Sequence, residues 1–357
     1  MAAKVLLVRA DASAEIGIGH VMRCLALAEA WQLVGGRVLF AVASGMGELE
    51  SRIRSRGCDL AELRCWPASA EDAAATAELA FQRRADWVVL DGYQFSADYI
   101  RALRRNTFRV LAISDGGETS ALDCDLIVNS EPGLPERAHS RTAQSVLLGP
   151  RYALLRREFL DVSTENREVP DITRKLLVTF GGGDSPNVTR QVLCALDEVS
   201  GLQFEVIAVV GPSNPHRASL QAVARESRHR VNLVCNSCNM PELMSQSDLA
   251  ITAGGGTCFE LAFLRIPMFL ISMAENQKHA VAAFASARAA VEGGWFNELD
   301  TTKLAGMLRS VACNRNLRRE IADNAANMVD GKGAERIVET MLMVGERSDL
   351  PRGSRDQ

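Results

Sequence analysis

The sequence predicts two α/β domains, each built on a parallel β-sheet, that face each other across a cleft. Three observations favour this fold class. The chain has 357 residues, about twice the length of a common domain. Short aliphatic runs alternate with helical periods along both halves, a rhythm typical of strands joined by crossover helices. A polar stretch with neither period, residues 161–174, separates the two halves.

The elements follow in order from the apolar pattern, because a strand buried on both faces of a parallel sheet carries apolar side chains throughout. In the first half such runs lie at residues 5–8, 38–42, 88–90, 110–113, 126–128 and 146–148. In the second half they lie at residues 176–180, 204–210, 231–234, 249–252 and 268–271. Amphipathic segments between them predict the helices, and two more helices near residues 302–312 and 315–329 are expected to finish the fold.

These elements set the expected domain boundaries. We expect an N-terminal Rossmann-like domain over residues 1–160, a linker over 161–174, a C-terminal Rossmann-like domain over 175–345 and a polar tail over 346–357. In open parallel sheets, ligands bind beyond the carboxyl ends of the strands. The loops that follow the strands are therefore the candidates for a functional site.

Composition excludes several classes of protein. Hydrophobic residues make up 47% of the chain and charged residues 24%, values typical of a globular protein rather than a disordered one. The net charge of −4 leaves no basic excess for nucleic-acid binding. Nine scattered cysteines favour a reduced, cytoplasmic protein. The longest apolar stretch, residues 261–274, is interrupted by Arg265 and Pro267, so no membrane span is expected.

Three glycine-rich loops occur where a predicted strand meets a helix. Glycine lets backbone N–H groups approach a ligand closely, and a helix N-terminus adds a partial positive charge, so such loops bind phosphate. A plain tight turn is the alternative for each loop taken alone. The P-loop pattern is absent, and Met22 stands where a dinucleotide fingerprint needs its third glycine, which leaves a nucleotide sugar as the favoured ligand. The loops are Gly17-Ile-Gly19-His20, Gly181-Gly182-Gly183-Asp184 and Gly254-Gly255-Gly256-Thr257.

His20 is the candidate general base. It begins an amphipathic helix, whose positive end favours the neutral imidazole that accepts a proton. Asp91, Tyr93 and Asp115 follow two predicted strands and are candidates to orient His20 or to bind a sugar hydroxyl. Structural alternatives are a capping role for the histidine and turn or capping roles for the other three.

Glu260 follows Thr257 by three residues and has two interpretations. Thr-x-x-Glu is the pattern of a capping box at a helix N-terminus. The carboxylate could instead accept hydrogen bonds from both hydroxyls of a ribose. The residue pattern leaves both open.

Several motifs together resemble the UDP-sugar hydrolases of the pseudaminic acid pathway, over most of residues 4–345. The N-terminal block Gly17-Ile-Gly19-His20-Val-Met-Arg23-Cys24 and the later Tyr152-Ala-Leu-Leu-Arg156-Arg-Glu-Phe are fairly specific to that family, whereas the C-terminal glycine block is shared with MurG-like transferases of the two-domain GT-B fold. The chain departs from the family at Gly92, where a histidine is frequent. The matching positions also include Asp11, Asp91, Tyr93, residues 124–129, residues 181–184, Thr257, Glu260, Asn276 and Gln277.

The resemblance implies a GT-B fold and a metal-free hydrolysis, without a cofactor, of UDP-2,4-diacetamido-2,4,6-trideoxy-β-L-altropyranose with inversion. The freed sugar could enter flagellin glycosylation or a surface polysaccharide. His20 matches the base that activates water, Tyr93 a tyrosine near it and Glu260 the ribose ligand. The remaining positions are expected to bind substrate: Asp11, Gly17, Gly19, Arg23, Asp91, Asp115, Arg156, Gly182, Gly183, Asp184, Gly255, Gly256, Thr257, Asn276 and Gln277.

Three other functions stay open. A GT-B glycosyltransferase would use the same donor site with an acceptor hydroxyl in place of water. A non-catalytic protein would bind the UDP-sugar without turnover. A non-hydrolysing epimerase of similar fold is a third possibility, although the sequence shows no cluster of acidic residues around the first loop beyond Asp11 and Glu15.

Overall fold

The computed structural model describes residues 3–12, 17–43, 47–104, 108–115, 123–133, 143, 145–164, 167–211, 213–235, 237 and 239–347. The chain divides into two compact units. The first contains residues 3–12, Ile18–Arg157 and the chain from Gly331 onward, and the second contains Glu158–Asp330.

The first unit is built on a seven-stranded parallel sheet with the order β3-β2-β1-β4-β5-β6-β7. The chain thus runs from β1 to β3 toward one edge of the sheet, and β4 then lies on the other side of β1. Ala10 of β1 pairs with Asp91 of β4. The carboxyl ends of β1 and β4 therefore meet at the point where the strand order reverses. The strands are β1 (Val5–Ala10), β2 (Arg37–Ala43), β3 (Asp59–Leu63), β4 (Trp87–Asp91), β5 (Arg109–Ile113), β6 (Leu126–Asn129) and β7 (Ser145–Leu148).

Helices cover both faces of this sheet, because successive side chains of a strand point to opposite faces and both sets are apolar here. Leu6 and Val8 join a core with α1, whereas Leu7 joins a second core with α3 and α4. Ser69 and Ser96 accept backbone hydrogen bonds that cap α3 and α4. The helices up to the unit boundary are α1 (Gly19–Leu33), α2 (Glu48–Ser55), α3 (Ala70–Gln82), α4 (Ala97–Leu103) and α5 (Arg157–Leu160).

The second unit contains a six-stranded parallel sheet with the order β10-β9-β8-β11-β12-β13. Its strands are β8 (Lys175–Thr179), β9 (Glu205–Val210), β10 (Arg230–Cys235), β11 (Leu249–Ala253), β12 (Met268–Ser272) and β13 (Val291–Trp295). Its helices are α6 (Val188–Glu198), α7 (Arg217–Glu226), α8 (Met240–Ser245), α9 (Thr257–Phe263), α10 (Glu275–Ser286), α11 (Thr301–Cys313) and α12 (Arg315–Met328). The strand order reverses between β8 and β11, as it does between β1 and β4 in the first unit.

The last helix, α13 (Gly333–Arg347), belongs to the first unit rather than to the second. Its apolar face, Ala334, Ile337, Val338 and Met341, is buried in the core beside α1. This finding corrects two expectations: the C-terminal domain does not extend to residue 345, and a third helix follows the two that were expected to finish the fold. The predicted tail lies outside the described residues from 348 onward.

The described part of the predicted linker is packed on the second unit, not extended between domains. Thr173 is buried and its N–H donates to the carbonyl of Ala312 at 3.0 Å. The buried guanidinium of Arg318 donates to the carbonyls of Pro170 and Asp171 and to the last turn of α11. These hydrogen bonds hold the segment on the second unit. The polar sequence of the segment gave no indication of this packing. Among the described helices, none is long and apolar enough to cross a membrane.

The packing of α13 predicts that replacing glycine with alanine changes stability in opposite directions at two positions. A Cβ on Gly333 would clash with the carbonyl oxygen of Ala153 and lie 2.6 Å from the carbonyl carbon of Tyr152. Gly306, inside α11, has no heavy atom within 4 Å of the same position. We expect Gly333→Ala to lower the free energy of unfolding by about 1–3 kcal/mol and Gly306→Ala to raise it by about 0.5–1 kcal/mol.

Urea unfolding followed by circular dichroism measures both changes. Equal stabilisation by the two substitutions would show that Gly333 does not pack against the backbone of the first unit.

Candidate active site

Five predicted side chains come together at the carboxyl edge of the first sheet. Asp91 ends β4, Tyr93 lies in the loop after it, and Asp115 follows β5. His20 and Arg23 lie one turn apart in α1. The parallel order of the strands brings these ends to one edge, so residues distant in sequence become neighbours.

His20 and Asp91 form a buried pair. The Nδ1 atom of His20 lies 2.7 Å from Oδ1 of Asp91, and the exposed fractions of the two residues are 6% and 0%. Because an ionised carboxylate only accepts hydrogen bonds, Nδ1 carries the proton that is donated. The second nitrogen, Nε2, therefore keeps its lone pair in the neutral imidazole, which is the state of a general base.

Arg23 completes the shell around Asp91. Its Nε lies 2.6 Å from Oδ2 of Asp91 and its Nη2 lies 2.5 Å from Oδ1, while Nη1 donates to Asp115 at 2.5 Å. Burial alone would raise the pKa of Asp91, but the charge and hydrogen bonds of Arg23 and the hydrogen bond of His20 outweigh burial and hold that pKa below its ordinary value. Asp91 is thus ionised at neutral pH.

Tyr93 lies against both His20 and Asp115. The Tyr93 ring meets the imidazole edge to face, with centroids 4.9 Å apart, and its hydroxyl donates to Asp115 at 3.4 Å. Desolvation together with the Asp115 carboxylate raises the pKa of Tyr93 to about 12. The phenol therefore remains a hydrogen-bond donor at neutral pH, and 60% of the residue is exposed.

Asp11 is held in a second buried network that the motifs did not reveal. The Arg9 guanidinium donates to Asp11 at 2.5 Å and to Asp72 at 2.7 Å, and all three residues are buried. Tyr99 and Thr76 donate to Asp72 as well. Arg9 inside an aliphatic strand was the available signal, since a buried arginine requires carboxylate partners.

These two networks contain more carboxylates than guanidinium groups. Among the described residues, Asp11, Asp72, Asp91 and Asp115 are paired with two guanidinium groups, those of Arg9 and Arg23. An excess of negative charge repels a diphosphate. In this cluster both guanidinium groups are already engaged by carboxylates.

In the second unit, Asp184 fills one of the expected anion sites with its own carboxylate. Its side chain accepts hydrogen bonds from the N–H groups of Val188 and Thr189 and from the Thr189 hydroxyl, at 2.8, 3.0 and 2.6 Å. These N–H groups belong to the first turn of α6. Asp184 therefore stabilises the helix start in the way a bound anion would.

The starts of α9 and α10 are different, because the N-cap residues, Gly256 and Ala274, form no side-chain cap hydrogen bond. The residue before α9 is Gly256, so Thr257 lies within the helix and is not its N-cap residue. A Cβ placed on Gly255 or Gly256 would meet no atom within 4 Å. The backbone of this loop is thus open to a ligand.

The remaining predicted residues are distributed around these loops. Gly254 packs on α10, since a Cβ there would lie 3.2 Å from the carbonyl of Gln277. Gln277 accepts a hydrogen bond from the N–H of Met273 at 3.0 Å. A Cβ placed on Gly17, Gly19 or Gly182 would meet no heavy atom within 4 Å, so the backbone at these three positions is open. Gly183, Arg156, Glu260 and Asn276 are the other predicted positions. Within the described ranges, no group of three or more acidic, histidine or cysteine side chains could hold a metal ion.

The second half of the chain is similar to a known family. Residues 176–340 match the model of the glycosyltransferase family 28 C-terminal domain. The second unit is thus similar in sequence to that domain over most of its length. The match runs into α13, which packs on the first unit in this structure.

Solved structures similar to this chain support the same fold. A crystal structure of MurG from Acinetobacter baumannii superposes with a TM-score of 0.69 at 16% identity, covering 95% of this chain and 99% of that one. This likeness confirms the predicted fold class, two Rossmann-like parallel-sheet units of the GT-B type.

Two relatives are similar in sequence. An uncharacterized protein of Methanocaldococcus jannaschii is 27% identical over 75% of this chain, but the match spans only 55% of that protein. The UDP-2,4-diacetamido-2,4,6-trideoxy-β-L-altropyranose hydrolase of Campylobacter jejuni is 25% identical over 76% of this chain and 93% of its own length.

The lowered pKa of Asp91 predicts a contribution to stability that acid removes. Ionised Asp91 stabilises the native state at neutral pH, and this contribution is lost as the pH falls through the unfolded-state value, about 3.9, toward the lower native value. We expect the free energy of unfolding to decline less steeply in this range for Asp91→Asn than for the unmodified protein.

Urea unfolding between about pH 3 and pH 7 measures the slope. Asp98→Asn is the control, because Asp98 is exposed in α4 and forms an ion pair with Arg101 on the surface. A slope for Asp91→Asn equal to that of the unmodified protein would contradict the assignment.

Proposed function

We propose that this chain hydrolyses a UDP-sugar to UDP and the free sugar, and that the sugar is 2,4-diacetamido-2,4,6-trideoxy-altrose. The observation that carries the proposal is the buried His20–Asp91 pair, which leaves Nε2 of a histidine as an acceptor beside two sugar-binding candidates. The similarity to the Campylobacter jejuni hydrolase, which extends over nearly the whole of that protein, supports water as the nucleophile.

In the proposed reaction, Nε2 of His20 takes a proton from water as the water oxygen attacks C1 of the sugar. The bond between C1 and the diphosphate oxygen breaks, its electron pair leaves with UDP, and attack from the opposite face inverts C1. Asp91 stabilises the imidazolium that forms, because it is ionised and accepts the Nδ1 hydrogen bond. A positioned base of this kind contributes about 10²–10⁴-fold to the rate.

Tyr93 and Asp115 are proposed to bind the sugar. Asp115 offers carboxylate oxygens to the N–H and O–H groups of the substrate, and the Tyr93 phenol offers a donor to its carbonyl or ring oxygens. Arg23 holds Asp91 and Asp115 in place and is assigned no phosphate contact, since its guanidinium is engaged by both carboxylates.

The second unit is proposed to bind UDP. The uncapped starts of α9 and α10 supply N–H groups and a positive dipole end for the diphosphate, with Gly255, Gly256 and Thr257 allowing close approach. Glu260 is proposed to accept hydrogen bonds from the ribose. The other proposed contacts are Gly182, Gly183, Asn276 and Gln277 from the second unit and Arg156 from the first.

A GT-B glycosyltransferase is the second candidate, and the family match of residues 176–340 supports it. The base and the UDP site would be the same, and an acceptor hydroxyl would replace water. UDP release from the altrose substrate without any acceptor separates the two activities. Tight UDP binding without release would favour the transferase, and binding without turnover on any acceptor would favour a binding protein.

The role of His20 predicts a loss confined to turnover. We expect His20→Ala to reduce the rate of UDP release by about 10²-fold or more, because the enzyme loses its general base. The affinity for UDP, measured by calorimetry, should stay nearly constant, since His20 lies in the first unit and contacts the sugar side. A parallel loss of affinity and turnover would place His20 in binding or folding instead.

The role of Glu260 predicts the reverse pattern. We expect Glu260→Ala to weaken UDP binding about tenfold or more through the loss of a charge-assisted hydrogen bond. Glu226→Ala, at an exposed position at the end of α7, is the control and should bind UDP as the unmodified protein does. Unchanged UDP affinity with a lowered melting temperature would assign Glu260 a structural role.

A further inference from the structure

The loop that carries Tyr93 is tied to the buried network around Asp11. One carboxylate oxygen of Asp11 accepts hydrogen bonds from Arg9 at 2.5 Å and from the N–H of Ala43 at 2.8 Å. The other oxygen accepts from the side-chain amide of Gln94 at 3.4 Å. Asp11 thereby connects the ends of β1, β2 and β4 at one edge of the sheet.

The path of Gln94 depends on the absence of a side chain at position 92. A Cβ on Gly92 would clash with Oε1 of Gln94 and lie 2.8 Å from its Cδ and Nε2 atoms. The Gln94 amide is therefore folded directly over the Gly92 backbone, which is how it reaches Asp11. Tyr93 lies between these two residues and has its ring on His20.

We propose that Gln94 is a positioning residue, whose amide anchors the Tyr93 loop to Asp11 and so keeps Tyr93 against His20 and Asp115. Asp11 is a rigid anchor because Arg9, which holds it, is completely buried and is itself held by the buried Asp72. Tyr93 is largely exposed and follows a glycine, so its position depends on such an anchor. This inference rests on the proposed function, in which Tyr93 binds the sugar beside the base, and it gives Asp11 a positioning role in place of substrate binding.

A series of substitutions that changes the charge of the side chain at position 94 tests its hydrogen bond to Asp11. Gln94→Ala removes the donor, Gln94→Glu places a second carboxylate beside Asp11, and Gln94→Lys supplies a different donor that can reach it. Gln82→Ala is the matched control, because Gln82 lies exposed at the end of α3 and bonds only to a surface glutamate among its described contacts.

The first readout is hydrogen–deuterium exchange of the peptide containing residues 92–96 in the ligand-free protein. We expect exchange to be slow in the unmodified protein, the lysine variant and the control, faster with alanine and fastest with glutamate. In an Asp11→Asn background, glutamate should exchange no faster than alanine, since the repulsion is gone. Equal exchange in all variants, or equal effects of alanine and glutamate with Asp11 present, would overturn the proposal.

The second readout is steady-state kinetics of UDP release. We expect kcat to fall about three- to tenfold with alanine and further with glutamate, to recover with lysine, and to change more than KM does. A flat kcat series in an active enzyme would also overturn the positioning role. If the unmodified protein releases no UDP, the proposed function fails, whereas the exchange series still decides whether Gln94 anchors the loop.

Discussion

The buried carboxylate of Asp91 is the constraint on which the first unit depends. An ionised group without solvent costs several kcal/mol unless it is paired and hydrogen-bonded. His20 and Arg23 supply those bonds from one helix, and Arg23 continues to Asp115. Satisfying this charge fixes the tautomer and direction of the imidazole, so the requirement of stability and that of base catalysis are met by the same hydrogen bonds.

The two units differ in their electrostatic environment. Among its described residues, the first unit places more carboxylates than guanidinium groups near its histidine, an environment that favours ligand groups that donate hydrogen bonds. The second unit leaves the starts of α9 and α10 without a side-chain cap, while Asp184 fills the start of α6. A chain of net charge −4 can therefore offer an anion site without a basic patch, because backbone N–H groups provide it.

The sequence predicted what depends on local pattern and missed what depends on a distant partner. Aliphatic runs and glycine loops were enough to predict most of the parallel strands and the His20–Asp91 neighbourhood. They missed β3 and β13, because the sequences of these two edge strands, DLAEL and VEGGW, contain no continuous aliphatic run. The partner of Arg9 is Asp72, 63 residues away in the first turn of α3, which no motif indicates. An amphipathic period shows that a helix packs but does not name its partner, and α13 therefore packs on the unit that the sequence did not predict. In the sequence, Gly92 stands where similar proteins often have a histidine. In the structure, the Gln94 amide occupies the space that a side chain at position 92 would fill.

The choice between water and an acceptor hydroxyl does not lie in the base. Nε2 of His20 would accept a proton from either nucleophile, and Asp91 would stabilise the same imidazolium. Selection must therefore lie in what can reach that nitrogen. Tyr93 lies against that imidazole and is 60% exposed. An anchored tyrosine keeps a fixed space beside the base, and a space of fixed size discriminates between nucleophiles by their bulk. The interaction that holds the Tyr93 loop is thus relevant to which reaction follows, as well as to its rate.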